Sequence, residues 1–118
     1  MEAQNVYRLS MEFSQKIWDL VATWPGFARE TCGKQIVRSA DSISANLKEG
    51  AGRYFYKERN QFNIYARGSL FETHCWLEKA INRNLIPKQD FEDLRRDFDL
   101  LQIEINRMIR NTRNQALS

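Results

Sequence analysis

The residue types that support acid–base, nucleophilic or metal chemistry are few in this chain and do not form a recognised catalytic pattern. The chain has one histidine, His74, which is followed directly by Cys75. Neighbouring residues on a helix point about 100° apart, so this pair is not expected to share one metal ion. Three serines lie between Arg38 and Glu49, but the chain has no G-x-S-x-G elbow and no glycine-rich phosphate loop. We therefore predict no enzymatic activity, no cofactor and no bound metal, and we interpret His74 as a surface or interface residue.

Basic side chains offer a different chemistry, the binding of an anion. Arginine supplies 12 of the 18 basic residues, and its planar fork suits bidentate contact with phosphate. The candidates for nucleic-acid contact are Arg53, Lys57, Arg59, Arg107, Arg110 and Arg113. The aromatic residues at positions 54–56 could stack on unpaired bases or be buried between subunits. The stripe from 107 to 113 has a simpler alternative, a solvated helix end that complements the helix dipole.

A second polar group surrounds the junction between the second and third predicted helices. Its members are Arg38, Asn46, Glu49, Arg53, Glu58 and Glu72. We expect these residues to gather near one end of the fold, where ion pairs and helix caps would hold the turn. In the alternative interpretation, Arg53 faces an anionic partner together with Lys57 and Arg59.

The composition is typical of one soluble globular domain. Of the 118 residues, 42% are hydrophobic and 28% are charged, and five Gly and two Pro are too few for an all-β sandwich. No apolar run is long enough to cross a membrane, and the N-terminal residues lack the pattern of an export signal. These observations predict a cytoplasmic protein without membrane contact, in which Cys32 and Cys75 are free thiols.

The formal net charge of +3 is distributed unevenly along the chain. Residues 34–67 carry +4, residues 86–104 carry −3 and residues 105–118 carry +3. An acidic stretch of one subunit could therefore meet a basic stretch of another, which would leave the second basic stretch for an outside partner.

Apolar residues recur in four segments at the three- and four-residue spacing of amphipathic helices. The clearest stripe, in the last segment, consists of Phe91, Leu94, Phe98, Leu101, Ile105 and Met108. Gly and Pro residues at 25–26, 33, 50–52 and 87 separate the segments. We predict helices at about 6–24, 34–49, 57–84 and 88–113, which form one antiparallel up-down four-helix bundle.

Two glycines have specific roles in this prediction. Gly50 follows the second helix, at a position where a left-handed residue commonly closes a helix. Gly68 lies inside the third helix, where it costs about 1 kcal/mol of helix propensity. We expect that close packing of Gly68 and Ser69 against small residues of the second helix compensates for this cost. Gly68 would then mark the tightest contact of the bundle.

The stretch from Arg38 to Arg53 has the distinctive sequence RSADSISANLKEGAGR. The pattern continues at Lys57-Glu58, Phe62, Ala66, Gly68-Ser69-Leu70 and Glu72. These residues resemble the four-helix-bundle family of proteins encoded in 23S rRNA intervening sequences. That family's pattern reads R-[SA]-A-x-S-I-x-A-N-[IL]-x-E-G-x-G-R and then K-E-x-x-x-F-x-x-x-A-x-G-S-L-x-E. The structural-motif residues that we single out are Arg38, Asn46, Glu49, Gly50, Gly52, Gly68, Ser69 and Glu72.

The chain departs from this family pattern at the start of the third helix. Phe55 stands where the family commonly has Ser or Thr, which would be a natural N-cap. Arg59, Asn60 and Asn63 stand where the family often has apolar residues. Packing at the start of this helix is therefore where the chain is expected to differ from its relatives.

The resemblance implies a homopentamer, with five bundles arranged as a ring, and a binding or scaffolding role in place of catalysis. A related branch, the accessory variability determinant of diversity-generating retroelements, implies nucleic acid and a reverse transcriptase as partners. We expect an oligomeric nucleic-acid-binding or ribonucleoprotein accessory module, whose partners would be RNA or DNA, a reverse transcriptase or another protein. The alternative is a structural scaffold for protein–protein interaction without a nucleic-acid role.

Overall fold

The computed structural model describes all 118 residues, and helices joined by short turns make up the chain. Four long helices span Ala3–Val21 (α1), Lys34–Ala51 (α3), Tyr56–Asn82 (α4) and Lys88–Leu117 (α5), and a short helix, α2, spans Gly26–Ala28. The chain contains no strand, so the predicted all-α class with four helices packed together is confirmed. The molecule is elongated and measures 51 × 23 × 19 Å. None of its helices combines the length and the apolar character that a membrane span requires.

The prediction that Gly33 interrupts the chain is wrong. Helical structure continues from α2 through one wide π-helical turn, Arg29–Gly33, directly into α3. Pro25 is compatible with this helix because it precedes the first helical residue, and its carbonyl accepts the Arg29 N–H at 2.9 Å. Gly33 is buried against α1, where a Cβ would lie 2.7 Å from Val21 Cγ1. The absence of a side chain at Gly33 therefore permits close packing and does not end a helix.

The ends of the other helices lie close to their predicted positions, with physical reasons for the differences. α1 begins and ends three residues earlier than predicted, and Thr23 Oγ1 donates a hydrogen bond to the Leu20 carbonyl just before Pro25. α4 ends at Asn82, and the chain reverses through Asn84, whose φ of 59° is a left-handed conformation that asparagine tolerates. α5 continues four residues beyond its predicted end at 113.

The core contains 19 buried hydrophobic residues from all four long helices and the segments that join them. The predicted stripes supply most of it. Their buried hydrophobic members are Phe13, Ile17, Val21, Trp24, Ile36, Ala40, Ile43, Leu47, Ala66, Leu70, Leu77, Ala80, Leu94, Phe98, Leu101 and Ile105. Burial of these side chains provides the main driving force for folding, because each one removes apolar surface from water.

The most extensive contact between helices is the one between α3 and α4. Two buried hydroxyls meet there: Thr73 on α4 donates to Ser39 Oγ on α3 at 2.9 Å, and Ser39 donates to the Ile36 carbonyl at 3.1 Å. Because each hydroxyl has a hydrogen-bond partner, neither leaves an unpaired polar group in the core. Small residues at this contact also let the two helices approach closely.

The roles predicted for Gly50 and Gly68 are both wrong. Gly50 lies inside α3, which ends at Ala51, and no glycine in the chain has a positive φ. A Cβ at Gly50 would lie 3.0 Å from the Arg59 carbonyl oxygen, whereas a Cβ at Gly68 would have no atom within 4 Å. Helix rotation turns position 50 toward α4 and position 68 toward solvent. The close approach between α3 and α4 therefore occurs at Gly50, and Gly68 is exposed.

Polar contacts join α5 to both of its neighbouring helices. Lys16 on α1 donates to Asp97 Oδ2 at 2.8 Å and to Asp93 Oδ2 at 3.1 Å. The hydrogen bond to Asp97 is the largest of the causes that raise the pKa of Lys16 above 10.5, and burial partly opposes it. On the other side of α5, Arg67 of α4 donates to Asn106 Oδ1 at 2.8 Å.

Candidate functional site

Basic residues gather at one end of the fold, which we call the basic end and define as residues 1–10, 45–70 and 100–118. It contains nine Lys or Arg and four Asp or Glu residues, a formal side-chain charge of +5. The remaining residues carry nine basic and eleven acidic side chains, a charge of −2. Contacts join the three segments: Asn63 Nδ2 lies 3.4 Å from Thr112 Oγ1, and Lys48 Nζ lies 4.9 Å from the centroid of the Tyr7 ring. The modest net charge therefore conceals a separation of charge along the molecule.

All six candidates for nucleic-acid contact lie at the basic end, but only three of them lack a protein partner. Lys57, Arg110 and Arg113 are exposed and make no ion pair or side-chain hydrogen bond. Arg107 differs, because its Nη1 lies 3.2 Å from Oε1 of Glu104, whose side chain is only 8% exposed. A buried carboxylate needs such a cation, so Arg107 compensates Glu104 and has less charge to offer a ligand.

Arg53 holds the turn between α3 and α4. Its Nη2 donates to Glu49 Oε1 at 2.7 Å, its Nη1 lies 3.8 Å from Glu58 Oε2, and its guanidinium lies 4.8 Å from the centroid of the Phe62 ring. Two carboxylates therefore flank this one cation. Ion pairing that holds the turn accounts for the position of Arg53 better than the interpretation in which it faces an anion.

Arg59 has both a structural contact and unused hydrogen-bonding capacity. Its Nε donates to the Arg53 carbonyl at 2.6 Å, and its guanidinium lies 5.3 Å from the centroid of the Tyr56 ring. Its terminal guanidinium nitrogens make no hydrogen bond to the protein. Arg59 is half-buried, and its two terminal nitrogens remain able to donate hydrogen bonds to a ligand.

Exposed aromatic rings lie next to these cations. Tyr54 is 85% exposed, and its ring packs edge to face with Phe55 at a centroid distance of 5.0 Å. Phe55 occupies the N-cap position of α4 without a capping hydrogen bond, and the helix begins directly after it at Tyr56. Position 55 therefore carries an exposed aromatic ring beside Lys57 in place of a capping side chain.

Three further cations of the basic end were not singled out by sequence reasoning: Arg8, Lys48 and Arg67. Arg8 is exposed without a protein partner on α1, and Lys48 is exposed on α3. None of the three has another basic residue within four positions in the sequence, so no local charge pattern marks it. Only the packing of the helices places them in the same region as the predicted candidates.

The predicted single polar cluster is in fact two separate groups. Arg38 on α3 pairs with Glu72 on α4, and Trp76 Nε1 donates to the same carboxylate at 3.2 Å. The other group is the ion-paired set around Arg53. The prediction of one cluster is wrong because eleven residues of helix, about 16 Å of rise, separate Arg38 from Glu49.

The remaining residues of the motif support helix structure and packing. Asn46 Nδ2 donates to the Ser42 carbonyl one turn earlier at 2.8 Å. Gly52 is the C-cap of α3, and its N–H bonds to carbonyls of the last turn. Ser69 is half-buried, and its carbonyl oxygen lies 2.8 Å from the Thr73 hydroxyl.

The residues with metal-binding or nucleophilic chemistry lie apart. His74 is half-buried, and its ring stacks on the Phe98 ring at a centroid distance of 4.3 Å. Its Nδ1 lies 3.3 Å from Glu78 Oε1. Cys75 is exposed, Cys32 is buried, and both are free thiols. No three His, Cys, Asp or Glu side chains are arranged so that they could hold a metal ion.

Comparison with known proteins identifies a matching family model and a similar solved structure. Residues 2–111 match the family model for 23S rRNA-intervening sequence proteins. The fold is similar to the crystal structure of a protein of unknown function from the S23 ribosomal protein family of Bacteroides thetaiotaomicron. The two chains are 26% identical with a TM-score of 0.80, and the match covers 88% of this chain and 97% of that chain. No curated protein shows a significant match to this chain.

Proposed function

Because the chain belongs to the 23S rRNA-intervening sequence protein family, we propose that it is a non-enzymatic, oligomeric accessory module that binds nucleic acid through its basic end. The observation that carries this proposal is the separation of charge, +5 at the basic end against −2 elsewhere. Phosphate backbones provide the matching negative charge, and a concentrated positive field increases both affinity and association rate. The partner class is therefore RNA or DNA, bound largely without regard to sequence.

The contacts would come from the cations that have no protein partner. Arg8, Lys57, Arg110 and Arg113 are exposed, and the arginines among them can each bind two phosphate oxygens. The exposed ring of Tyr54 offers a surface on which an unpaired base can stack. A single strand fits this combination better than a duplex does, because stacking on side chains requires unstacked bases.

The basic end can form one surface only if the long helices follow an up-down order. Gly50, near the end of α3, packs on the first turns of α4. Arg67 of α4 bonds to Asn106 late in α5, and Lys16 late in α1 bonds to Asp93 early in α5. Such pairings support antiparallel neighbours, which bring the α3–α4 turn and the end of α5 to the same end of the bundle.

We extend the proposal to a cytoplasmic homopentamer. Ile64 on α4 and Ile103 on α5 are 47% and 56% exposed, and an assembly would gain stability by burying such side chains. A closed ring would also repeat the basic end five times, so that a small charge per chain becomes a strong local field.

The alternative function is a structural scaffold that recruits another protein, such as a reverse transcriptase, without a nucleic-acid role. The observation that favours it is the exposed aromatic pair Tyr54 and Phe55, which could insert into a protein partner. Affinity capture from a nuclease-treated lysate separates the two functions. A defined protein partner that survives nuclease treatment favours the scaffold, and loss of all captured material favours nucleic-acid binding.

The proposal is tested by measuring the affinity for two single-stranded RNAs of unrelated sequence by fluorescence anisotropy at several salt concentrations. We expect similar affinities for both RNAs and a steep fall in affinity between about 50 and 200 mM salt. The double variant Arg110→Gln/Arg113→Gln should lower the slope of log K against log salt by about 0.7 for each phosphate that is no longer neutralised. The matched control is Arg83→Gln/Arg95→Gln, which removes two exposed arginines outside the basic end and should leave the slope unchanged. Absence of binding at low salt, or binding that is independent of salt, would contradict the proposal.

A further inference from the structure

All four long helices border a cavity of about 400 Å³ at the basic end. Its polar lining residues are Gln4, Tyr7, Lys48, Arg59, Asn63, Thr112 and Gln115, and no lining residue is Asp or Glu. The volume lies within the range of small-molecule sites, about 300–1,000 Å³. We propose that this cavity binds a phosphate monoester of a hydroxylated small molecule, of about the size of a mononucleotide.

Two cations supply the binding site for the phosphate. Arg59 uses its Nε to hold the Arg53 carbonyl, which fixes the side chain and leaves both terminal nitrogens free to donate. Lys48 makes no ion pair, and its Nζ lies 4.9 Å from the centroid of the Tyr7 ring. A guanidinium that is held in place by one hydrogen bond loses little conformational entropy when it binds a phosphate with its remaining donors.

Nearby carboxylates do not cancel this positive charge. Glu49, next to Lys48 in sequence, is paired with Arg53. Glu104, one turn before the lining residue Met108, is paired with Arg107. The charges of Lys48 and Arg59 therefore lack an anion within the protein, and a dianionic phosphate would supply it through charge-assisted hydrogen bonds.

Asn63 offers the cavity a neutral hydrogen-bonding group that complements a hydroxyl of the ligand. It is only 5% exposed, and its Nδ2 lies 3.3 Å from Asn60 Oδ1 and 3.4 Å from Thr112 Oγ1. Its Oδ1 accepts no hydrogen bond from the protein and is not fully buried, so it is available to accept a hydrogen bond from a hydroxyl group of the ligand. Leu47 and Met108 line the same cavity and offer apolar contact to the ligand's carbon skeleton.

This chemistry has two possible sources, a free mononucleotide or the 5′-terminal nucleotide of a strand that is bound at the basic end. The second source rests on the proposed function, and the first does not. Titration calorimetry on the full chain distinguishes them. One arm compares adenosine 5′-monophosphate with adenosine, and the other compares a 5′-phosphorylated oligoribonucleotide with the same strand ending in a 5′-hydroxyl.

We expect the phosphorylated member of at least one pair to bind more tightly, and Arg59→Gln to weaken that binding about tenfold. Lys48→Gln removes an exposed side chain that makes no hydrogen bond to the protein, so it tests the cavity even if Arg59→Gln impairs folding. The matched control is Arg95→Gln, which removes an exposed arginine that lies outside the basic end and does not line the cavity, and it should change the affinity by less than about twofold.

Each outcome separates this proposal from nucleic-acid binding in general. Tight binding of the free mononucleotide supports the cavity even if no oligonucleotide binds. A preference for the 5′-phosphorylated strand alone also supports the cavity and identifies the strand end as its ligand. The proposal is overturned if phosphate has no effect in either arm, or if Arg95→Gln weakens binding as much as Arg59→Gln and Lys48→Gln do, even where RNA still binds.

Discussion

Gly50 on α3 lies so close to Phe62 on α4 that a Cβ at position 50 would be 3.0 Å from the Cβ of Phe62. The backbone of Arg59 is equally close, and backbone cannot move aside as the end of a flexible side chain can. Gly50→Ala is therefore expected to lower the free energy of unfolding by about 1–3 kcal/mol, although alanine has the higher helix propensity. Denaturation in urea measures the change.

Gly68→Ala is the matched control for Gly50→Ala, because both glycines are helical and only Gly50 is buried. No atom lies within 4 Å of a Cβ at Gly68, so alanine there should raise the free energy of unfolding by about 0.5–1 kcal/mol. If both variants are equally stabilised, the close approach at Gly50 does not constrain the fold.

The buried hydroxyls of Thr73 and Ser39 connect α3 and α4, and the Thr73 hydroxyl also lies 2.8 Å from the Ser69 carbonyl of its own helix. Thr73→Val keeps the shape of the side chain and removes the hydroxyl that contacts both Ser39 Oγ and the Ser69 carbonyl, so it should cost about 1 kcal/mol. Ser42→Ala is the control, because the Ser42 hydroxyl bonds only within its own helix, to the Arg38 carbonyl. An equal effect of the two substitutions in thermal or chemical denaturation would show that the hydrogen bond between the helices contributes nothing specific.

The ion pairs of Lys16 predict a dependence of stability on alkaline pH. The hydrogen bond to Asp97, with a smaller one to Asp93, raises the pKa of Lys16 in the folded chain above 10.5. The resulting stabilisation is fully present below the unfolded pKa and is lost as the pH rises through the folded pKa. Because the side chain is 45% exposed, the destabilisation in Lys16→Met should be at most about 1 kcal/mol near neutral pH.

Urea denaturation of wild type and Lys16→Met between about pH 8 and pH 12 checks this prediction. The difference between the two proteins should shrink above pH 10.5, whereas Lys34→Met, which removes an exposed lysine without a partner, should show no such change. A difference that stays constant with pH would assign the effect of Lys16 to packing of its aliphatic chain.

The proposed pentamer predicts the mass of the particle in solution. It also predicts that this mass falls when charges replace exposed apolar residues. Five chains of 14.0 kDa would give about 70 kDa in light scattering. Ile64→Glu/Ile103→Glu places charges on two exposed apolar positions of α4 and α5 and should reduce the mass while helicity is retained. Met11→Glu, a similarly exposed position on α1, is the control. A wild-type mass near that of one chain contradicts self-association.

Sequence periodicity was sufficient to predict the helices and most of the core. The stripes through Phe13 and Ile17 and through Leu94 and Phe98 are buried as expected, because a helix must turn its apolar side away from water. Helix limits were less predictable. Thr23 acts at the end of α1 through a hydrogen bond to the Leu20 carbonyl, and the wide turn before α3 includes Gly33, which packs against Val21.

The polar residues of the motif show where sequence reasoning stopped. Arg38 and Arg53 belong to one continuous stretch of sequence, yet the rise of the helix places them in different ion pairs. The basic residues show the converse, since Lys57 and Arg113 are far apart in sequence and lie at the same end of the molecule. Asn63 and Arg59 stand out in sequence as polar residues at positions expected to be apolar, and together they line the cavity.

The sequence by itself determined the all-α class, the amphipathic faces and the total charge, because these depend on residue type and local spacing. Only the tertiary structure decided which glycine permits close packing, which cations are already paired and which charges share one end. Those properties depend on the rotation of each helix about its axis and on the neighbour it meets. Each residue along a helix turns the side-chain direction by about 100°. A difference of one position therefore decides whether a glycine faces a neighbouring helix, as Gly50 does, or solvent, as Gly68 does.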